Sequence, residues 1–243
     1  ALTAQTGLDN VHADLGMAGE AVETTPGTYT WEWEPHYHVH DGPEYELGEA
    51  FVVVNPTTQK AQSDFANPSG HAFLFAGGNS FVWHLDASPQ LDGGGNYTQT
   101  YLGIGAEELA GANNPFSTSM RYELAAVNGP GDFAMFTYGP SGPEPVMNSQ
   151  DGFNGADDFL LLNAGGHLHR HLAFTAPGEY DVTFNVTATL DDTWAGLSGG
   201  SWDSTDASTQ ATYSFSVVPE PSAYALAAGL LGLALALLRR RRR

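Results

Sequence analysis

The chain carries nine histidines, and six of them stand in two sets of identical spacing. His36, His38 and His40 form one set; His167, His169 and His171 form the other. Neutral imidazole is the commonest protein ligand for transition metals. On a β-strand, residues at i, i+2 and i+4 share one face, with Cα atoms about 6.5–7 Å apart, a gap that two ligands of one ion can close. Three imidazoles and one open or carboxylate position suit zinc at about 2.0–2.1 Å per nitrogen, while copper and nickel also accept imidazole. His12 and Asp14 add a His-x-Asp pair, and Asp41 is placed to act as a fourth ligand or to orient His40. The candidate ligands are therefore His12, Asp14, His36, His38, His40, His167, His169 and His171, from segments that only the fold can bring together. His71 and His84 stand alone and read as surface or hydrogen-bonded residues. The chain has no Cys, which excludes thiolate metal sites, cysteine nucleophiles and iron–sulfur clusters.

Elements of the right kind surround these residues. Short apolar runs recur between turn signals at 50–54, 72–76, 80–85, 121–127, 132–138 and 158–162, each of ordinary strand length. The strongest run is 179–190, where Tyr180, Val182, Phe184 and Val186 alternate with polar residues, so one face is buried and one is wet. Residues 211–217 read as the last strand, pairing back on it across a long loop at 191–209. Only 105–110 suggests a turn of helix. The expected fold is an all-β sandwich, immunoglobulin-like or jelly-roll-like, over residues 1–217. Ala176-Pro177-Gly178-x-Tyr180 is reminiscent of the tyrosine corner of immunoglobulin-like domains.

Charge is lopsided. Of eight basic residues, five are Arg239 to Arg243, which leaves Lys60, Arg121 and Arg170 against 28 acids. Such a body repels phosphate backbones, which argues against nucleic acid as a partner, and it attracts cations. The end of the chain differs in kind. Val218-Pro219-Glu220-Pro221-Ser222 leads into sixteen uncharged residues, Ala223 to Leu238, followed by the arginines. As a helix this run spans about 24 Å, a little short of a bilayer core of about 30 Å. The arginines would stay on the cytoplasmic side, leaving the body outside. A first residue Ala1 fits a chain whose signal peptide has been removed.

Residues 218–243 closely resemble the PEP-CTERM sorting signal of Gram-negative bacteria. That resemblance implies an exosortase as partner, a transient inner-membrane anchor through the C-terminal helix, and release or attachment outside the cell. The body resembles the choice-of-anchor M domain of bacterial surface proteins. The shared residues include Val11-His12-Ala13-Asp14-Leu15-Gly16, His38-Val39-His40-Asp41, Val82-Trp83-His84-Leu85, Asn128-Gly129-Pro130-Gly131-Asp132-Phe133, Gly165-Gly166-His167-Leu168-His169 and Ala176-Pro177-Gly178-Glu179-Tyr180. Joined to such a tail, the chain is similar to PEP-CTERM proteins repressed by the zinc regulator Zur. This implies an exported zinc-binding protein, at the surface or in the periplasm, that captures or hands over zinc under metal limitation, with a metal-uptake ABC transporter as possible partner. The resemblance favours His12, His40, His167 and His169 as ligands, with Asp14 and His38 next.

That reading needs no nucleophile and describes a protein that is not an enzyme. Two others compete. His38-Val39-His40-Asp41-Gly42 is reminiscent of copper/zinc superoxide dismutases, and His38-x-His40-x3-Glu44 matches half of the first cupin motif, so a copper or manganese metalloenzyme is one alternative. A structural matrix or adhesion protein with an architectural metal is the other.

Overall fold

The structure, a computed structural model, describes residues 5–220; the expected membrane segment and arginine cluster lie outside the described residues. Seventeen strands follow in chain order: β1 (Thr6–Leu8), β2 (His12–Thr25), β3 (Thr28–Val39), β4 (Glu44–Glu46), β5 (Ala50–Val54), β6 (Gln59–Ala61), β7 (Phe81–Leu85), β8 (Tyr101–Gly105), β9 (Met120–Asn128), β10 (Phe133–Gly139), β11 (Gly142–Asn148), β12 (Phe159–Leu162), β13 (His167–His169), β14 (His171–Phe174), β15 (Gly178–Thr189), β16 (Ser201–Trp202) and β17 (Asp206–Val217). The helical segments among the described residues are short 3-10 turns, and none is long and apolar enough to cross a membrane.

The strands form three sheets. The first runs β1-β5-β17-β15-β9-β12, the second β11-β10-β14-β7-β6, and the third β13-β8-β2-β3-β16, with β4 beside β3. The alternation read in β15 is realised: Tyr180, Val182, Phe184 and Val186 are buried, and the residues between them are not. β17 pairs along the whole of β15, from Gly178 opposite Val217 to Thr189 opposite Asp206. On the wet face the pair is laced by Thr183–Thr212 and Gln210–Asn185 hydrogen bonds, as cross-strand neighbours should be. The Tyr180 hydroxyl donates to the Ala176 carbonyl at 2.8 Å, closing the corner before β15.

One apolar core joins the sheets. Phe184 and Phe215 of the first sheet, Leu15, Met17 and Ile104 of the third, and Phe133 and Phe174 of the second belong to it. The third sheet therefore turns Ala13, Leu15, Met17, Tyr37, Leu102 and Ile104 inward, and period two turns the residues between them outward. Two tyrosines staple the first and third sheets. Tyr213 Oη donates to the Gly16 carbonyl at 2.7 Å, and Tyr37 Oη accepts from the Ser214 amide at 2.7 Å.

Two expectations change. Residues 72–75 form a 3-10 turn instead of a strand, because this apolar segment covers the far face of the second sheet, where Leu74 joins Phe65, Val82 and Phe136. The 191–209 loop is shorter, since β17 begins at Asp206 and β16 pairs with β3 on the way. The longest hairpin, β2–β3, carries no clean apolar alternation, because both faces of its first half are buried, one by core and one by polar groups. Pro35 is tolerated within β3 because the outer side of that strand is paired only at Thr28–Tyr29 and His36–His38 among the described residues.

The Tyr213 staple holds the strand that carries His12 and Asp14. Tyr213→Phe should cost about 1–2 kcal/mol, seen as a fall of about 3–6 °C in the thermal unfolding midpoint followed by circular dichroism.

Candidate metal centre

The outward face of the third sheet collects the chemistry. Register sets it in rows. His169, Gly103, Asp14, His38 and Glu44 lie side by side across β13, β8, β2, β3 and β4; His167, Gly105, Gly16, His36 and Glu46 form the next row. His12 sits one step along β2, opposite Tyr101. Two turns bring the ends into place. Asp41, in the left-handed region at φ 59°, turns the chain after β3, while the His40 amide donates to the His12 carbonyl at 3.0 Å. Gly165, at φ 72°, donates its amide to the Ala106 carbonyl, and Ala106 returns a bond to Gly166, clasping the Glu107–Leu109 turn beside β13.

His12, Asp14, His167 and His169 each offer one donor atom, all within 4.8 Å of one another. Asp14 is fully buried, yet neither carboxylate oxygen makes a hydrogen bond. His167 Nε2 lies 3.1 Å and His12 Nε2 3.9 Å from Asp14 Oδ1, and both nitrogens are also without a hydrogen-bond partner. Donors about 2.0–2.1 Å from a tetrahedral centre stand about 3.3–3.4 Å apart, so these separations bracket the edge of a zinc-sized coordination sphere. Two further ring nitrogens are committed. His169 Nδ1 bonds the Leu102 carbonyl at 2.8 Å and must carry the hydrogen, because a carbonyl only accepts. His167 Nδ1 faces Glu107 Oε1 at 2.8 Å. The Glu107 contact leaves His167 Nε2 facing Asp14, and the Leu102 bond leaves Nε2 as the lone-pair nitrogen of His169; such contacts are the usual outer support of a metal-bound imidazole.

Glycines make the floor. A Cβ on Gly103 would meet Asp14 Oδ1 at 2.1 Å and His167 Nε2 at 2.7 Å, and one on Gly105 would meet Glu107 Oε2 at 2.3 Å. β8 must therefore be bare on its outward face for the donors of β2 and β13 to close over it.

Burial governs protonation here. It pushes His12 down to about 4, helped by the neighbouring imidazoles, and pushes His169 down to about 4 as well. Both rings are thus neutral and able to ligate at pH 7. Burial also pushes Asp14 up to about 6, with Glu107 adding to the rise against the pull of His167.

Other candidates fall elsewhere. His40 is exposed and stands outside the donor cluster; its ring lies flat on His12, 4.3 Å away and within 4° of parallel. His36 and His38 join a second group with Glu44 and Glu108. His171 leaves its triplet. The chain changes sheet at Arg170, so His171 opens β14 in the second sheet and packs against His84. Asp41 is an exposed turn residue and joins no donor group. His84 is not alone, as its Nε2 lies 3.0 Å from His171 Nδ1, and His71 bonds Asn67 and Tyr138. Glu107 and Glu108 were not foreseen; the signal for the site floor was the alternate glycines of Tyr101-Leu102-Gly103-Ile104-Gly105.

Comparison of the chain with protein-family models, curated proteins and solved structures returns no match, so the function rests on this geometry and on the sequence.

Two outcomes follow for protein stripped with a chelator. His12, His71, His84, His169 and His171 all sit below their ordinary range, so the unfolded chain binds more protons as pH falls from 6.5 toward 4, and stability falls with it. Asp14 works the other way, its penalty being present above about pH 6 and relieved below it. Asp14→Asn should therefore raise the unfolding midpoint at pH 7.5, by about 2–4 °C per kcal/mol relieved, and lose that advantage progressively as pH falls from about 6 toward the ordinary carboxyl value of 3.8. Gly103→Ala should leave the circular dichroism spectrum intact while abolishing metal uptake at this cluster, because its methyl enters the donor cluster and not the core.

Proposed function

We propose that the protein binds a divalent transition-metal ion, zinc in the first place, through His12, Asp14, His167 and His169, and that it captures or hands over that ion outside the cytoplasm under metal limitation. One observation carries the reading: a fully buried carboxylate with no hydrogen-bond donor faces imidazole nitrogens that are themselves unpaired. Such a constellation costs several kcal/mol unless a cation completes it.

The donors are three nitrogens and one oxygen. That set fits zinc, and copper and nickel accept imidazole too. Four protein donors fill a tetrahedral sphere, which suits holding an ion better than activating a water molecule. The dismutase-like and cupin-like comparisons both depend on the His38–His40 pair, which lies outside this donor set. Export is supported by the PEP-CTERM-like tail and by the acidic body, and an exosortase and a metal-uptake ABC transporter are the partners this reading names. A β-sandwich of immunoglobulin-like kind, with the Tyr180 corner as its supporting feature, is the frame we assign to the body.

The fold positions the ion by fixing donors before it arrives. Glu107 and the Leu102 carbonyl hold the tautomers of His167 and His169, and Gly103 leaves room beneath them.

Elemental analysis and zinc titration against a competing chelator test the reading. The protein should take up zinc with Kd below about 1 µM, equivalent to about −8 kcal/mol. Asp14→Asn and His169→Ala should each lose the tightest equivalent, and Glu107→Gln should weaken it about 10–100-fold by freeing His167. Affinity should be nearly flat above pH 7 and should fall below pH 6, by about tenfold per unit or more, as protons compete for Asp14. Full zinc content in both Asp14→Asn and His169→Ala would remove this ligand set. Zinc that binds but exchanges only on unfolding would make the ion architectural.

A further inference from the structure

Beside the first donor cluster stands a second. His36, His38, Glu44 and Glu108 each present one donor atom, all within 4.8 Å of one another. His36 is 93% removed from solvent by its 7% exposure, and its Nε2 makes no hydrogen bond. Its other nitrogen, Nδ1, bonds the Glu34 carbonyl at 2.9 Å and so carries the hydrogen, which leaves Nε2 as a lone pair aimed at Glu108 Oε1, 3.6 Å away. His38 Nδ1 is likewise unpaired and lies 3.3 Å from Glu44 Oε1 and 3.5 Å from Glu108 Oε1. These separations surround the edge of about 3.3–3.4 Å that a tetrahedral zinc sphere requires. Gly16 is the floor, since a Cβ there would meet His36 Nε2 at 2.4 Å. The construction repeats that of the first cluster: a ring with one nitrogen fixed by a backbone carbonyl, an unpaired nitrogen, carboxylates opposite, and a bare glycine beneath.

We infer that the protein holds a second divalent-cation site, formed by His36, His38, Glu44 and Glu108, next to the first and more open to solvent. Glu107 and Glu108 are consecutive residues of one 3-10 turn, so that turn supports His167 of the first site and supplies a ligand to the second. The two sites differ in kind. Asp14 is fully buried in the first, whereas in the second the Glu44 side chain is 59% and His38 30% exposed. Exposed donors act through a higher dielectric and release an ion more readily. The second site thus accepts and gives up cations faster, at the rim of a buried one. This inference borrows from the proposed function only the class of ion; its own donors are separate.

Zinc titration of the whole protein against a competing chelator, with elemental analysis, tests it. Wild-type protein should bind two equivalents, the second weaker by about tenfold or more. His38→Ala and the isosteric Glu108→Gln should each lose the weaker equivalent and leave the affinity of the tighter one within about threefold. Asp14→Asn should show the reverse, keeping the weaker equivalent alone. A wild-type stoichiometry of one, lost in Asp14→Asn and kept in His38→Ala, would overturn the second site and leave the first standing. Two equivalents retained in both His38→Ala and Glu108→Gln would overturn it too, as would loss of all zinc in either, which would mean one site spread over both clusters. Zero equivalents in wild type would remove both sites together.

Discussion

The Asp14 carboxylate is the constraint around which the rest is arranged. It is fully buried, carries no hydrogen bond on either oxygen, and is pushed up toward about 6 by that burial. A buried carboxylate is ordinarily neutralised by a protonated base or by several donors. Here the adjacent bases have been made worse proton acceptors, since His12 and His169 are both driven down to about 4. His12 and His169 therefore stay neutral near pH 7 and do not neutralise the carboxylate by taking up a proton. A divalent cation resolves the conflict in one step, because it favours the ionised carboxylate and the neutral ring at once.

Building that constellation requires a sheet with two different faces. The inward residues of β2, β3 and β8 are ordinary core, with Leu15, Met17, Tyr37 and Ile104 packed against Phe184 and Phe215. The outward residues are donors and glycines in register. Strand pairing makes the arrangement stiff, because a shift of one residue in β2 would send Asp14 into the core and Leu15 into the donors. The hydroxyls of Tyr37 and Tyr213 bind this sheet to its neighbour from beneath. Rigidity of the donors thus comes from packing on the other side of the same strands.

How much of this could be read from the residues follows from what each signal reports. Period two in β15 survives because one of its faces is wet, and the strand was legible residue by residue. The same rule fails for β2 and β3, where polar donors are buried and mask the alternation. The i, i+2, i+4 spacing put His36 and His38 on one face correctly, but it presumed that strands continue. His171 departs because the chain changes sheets at Arg170, and no local feature of the histidines announces that crossing. Glu107, Glu108 and Gly103 matter through contacts made across the fold, which spacing alone does not encode.

The third histidine group shows why the unpaired atoms, and not the histidines themselves, mark the sites. His84, Asp86 and His171 also bring donor atoms within 4.8 Å of one another. There, however, the only lysine of the chain reaches His84 Nδ1 at 3.0 Å, and its ammonium can only donate. His84 Nε2 must then carry the hydrogen and donate to His171 Nδ1 at 3.0 Å, which also accepts from the Ala87 amide. The chain of bonds fixes both tautomers and uses the lone pairs that a cation would need, while the lysine charge repels one. Both imidazoles of this group stack on Phe136, with Phe65 tilted against His84, and they behave as polar members of a packed layer. The same residue type serves packing on the second sheet and offers unclaimed lone pairs on the third, and what separates them is whether a hydrogen-bond partner has already claimed the nitrogen.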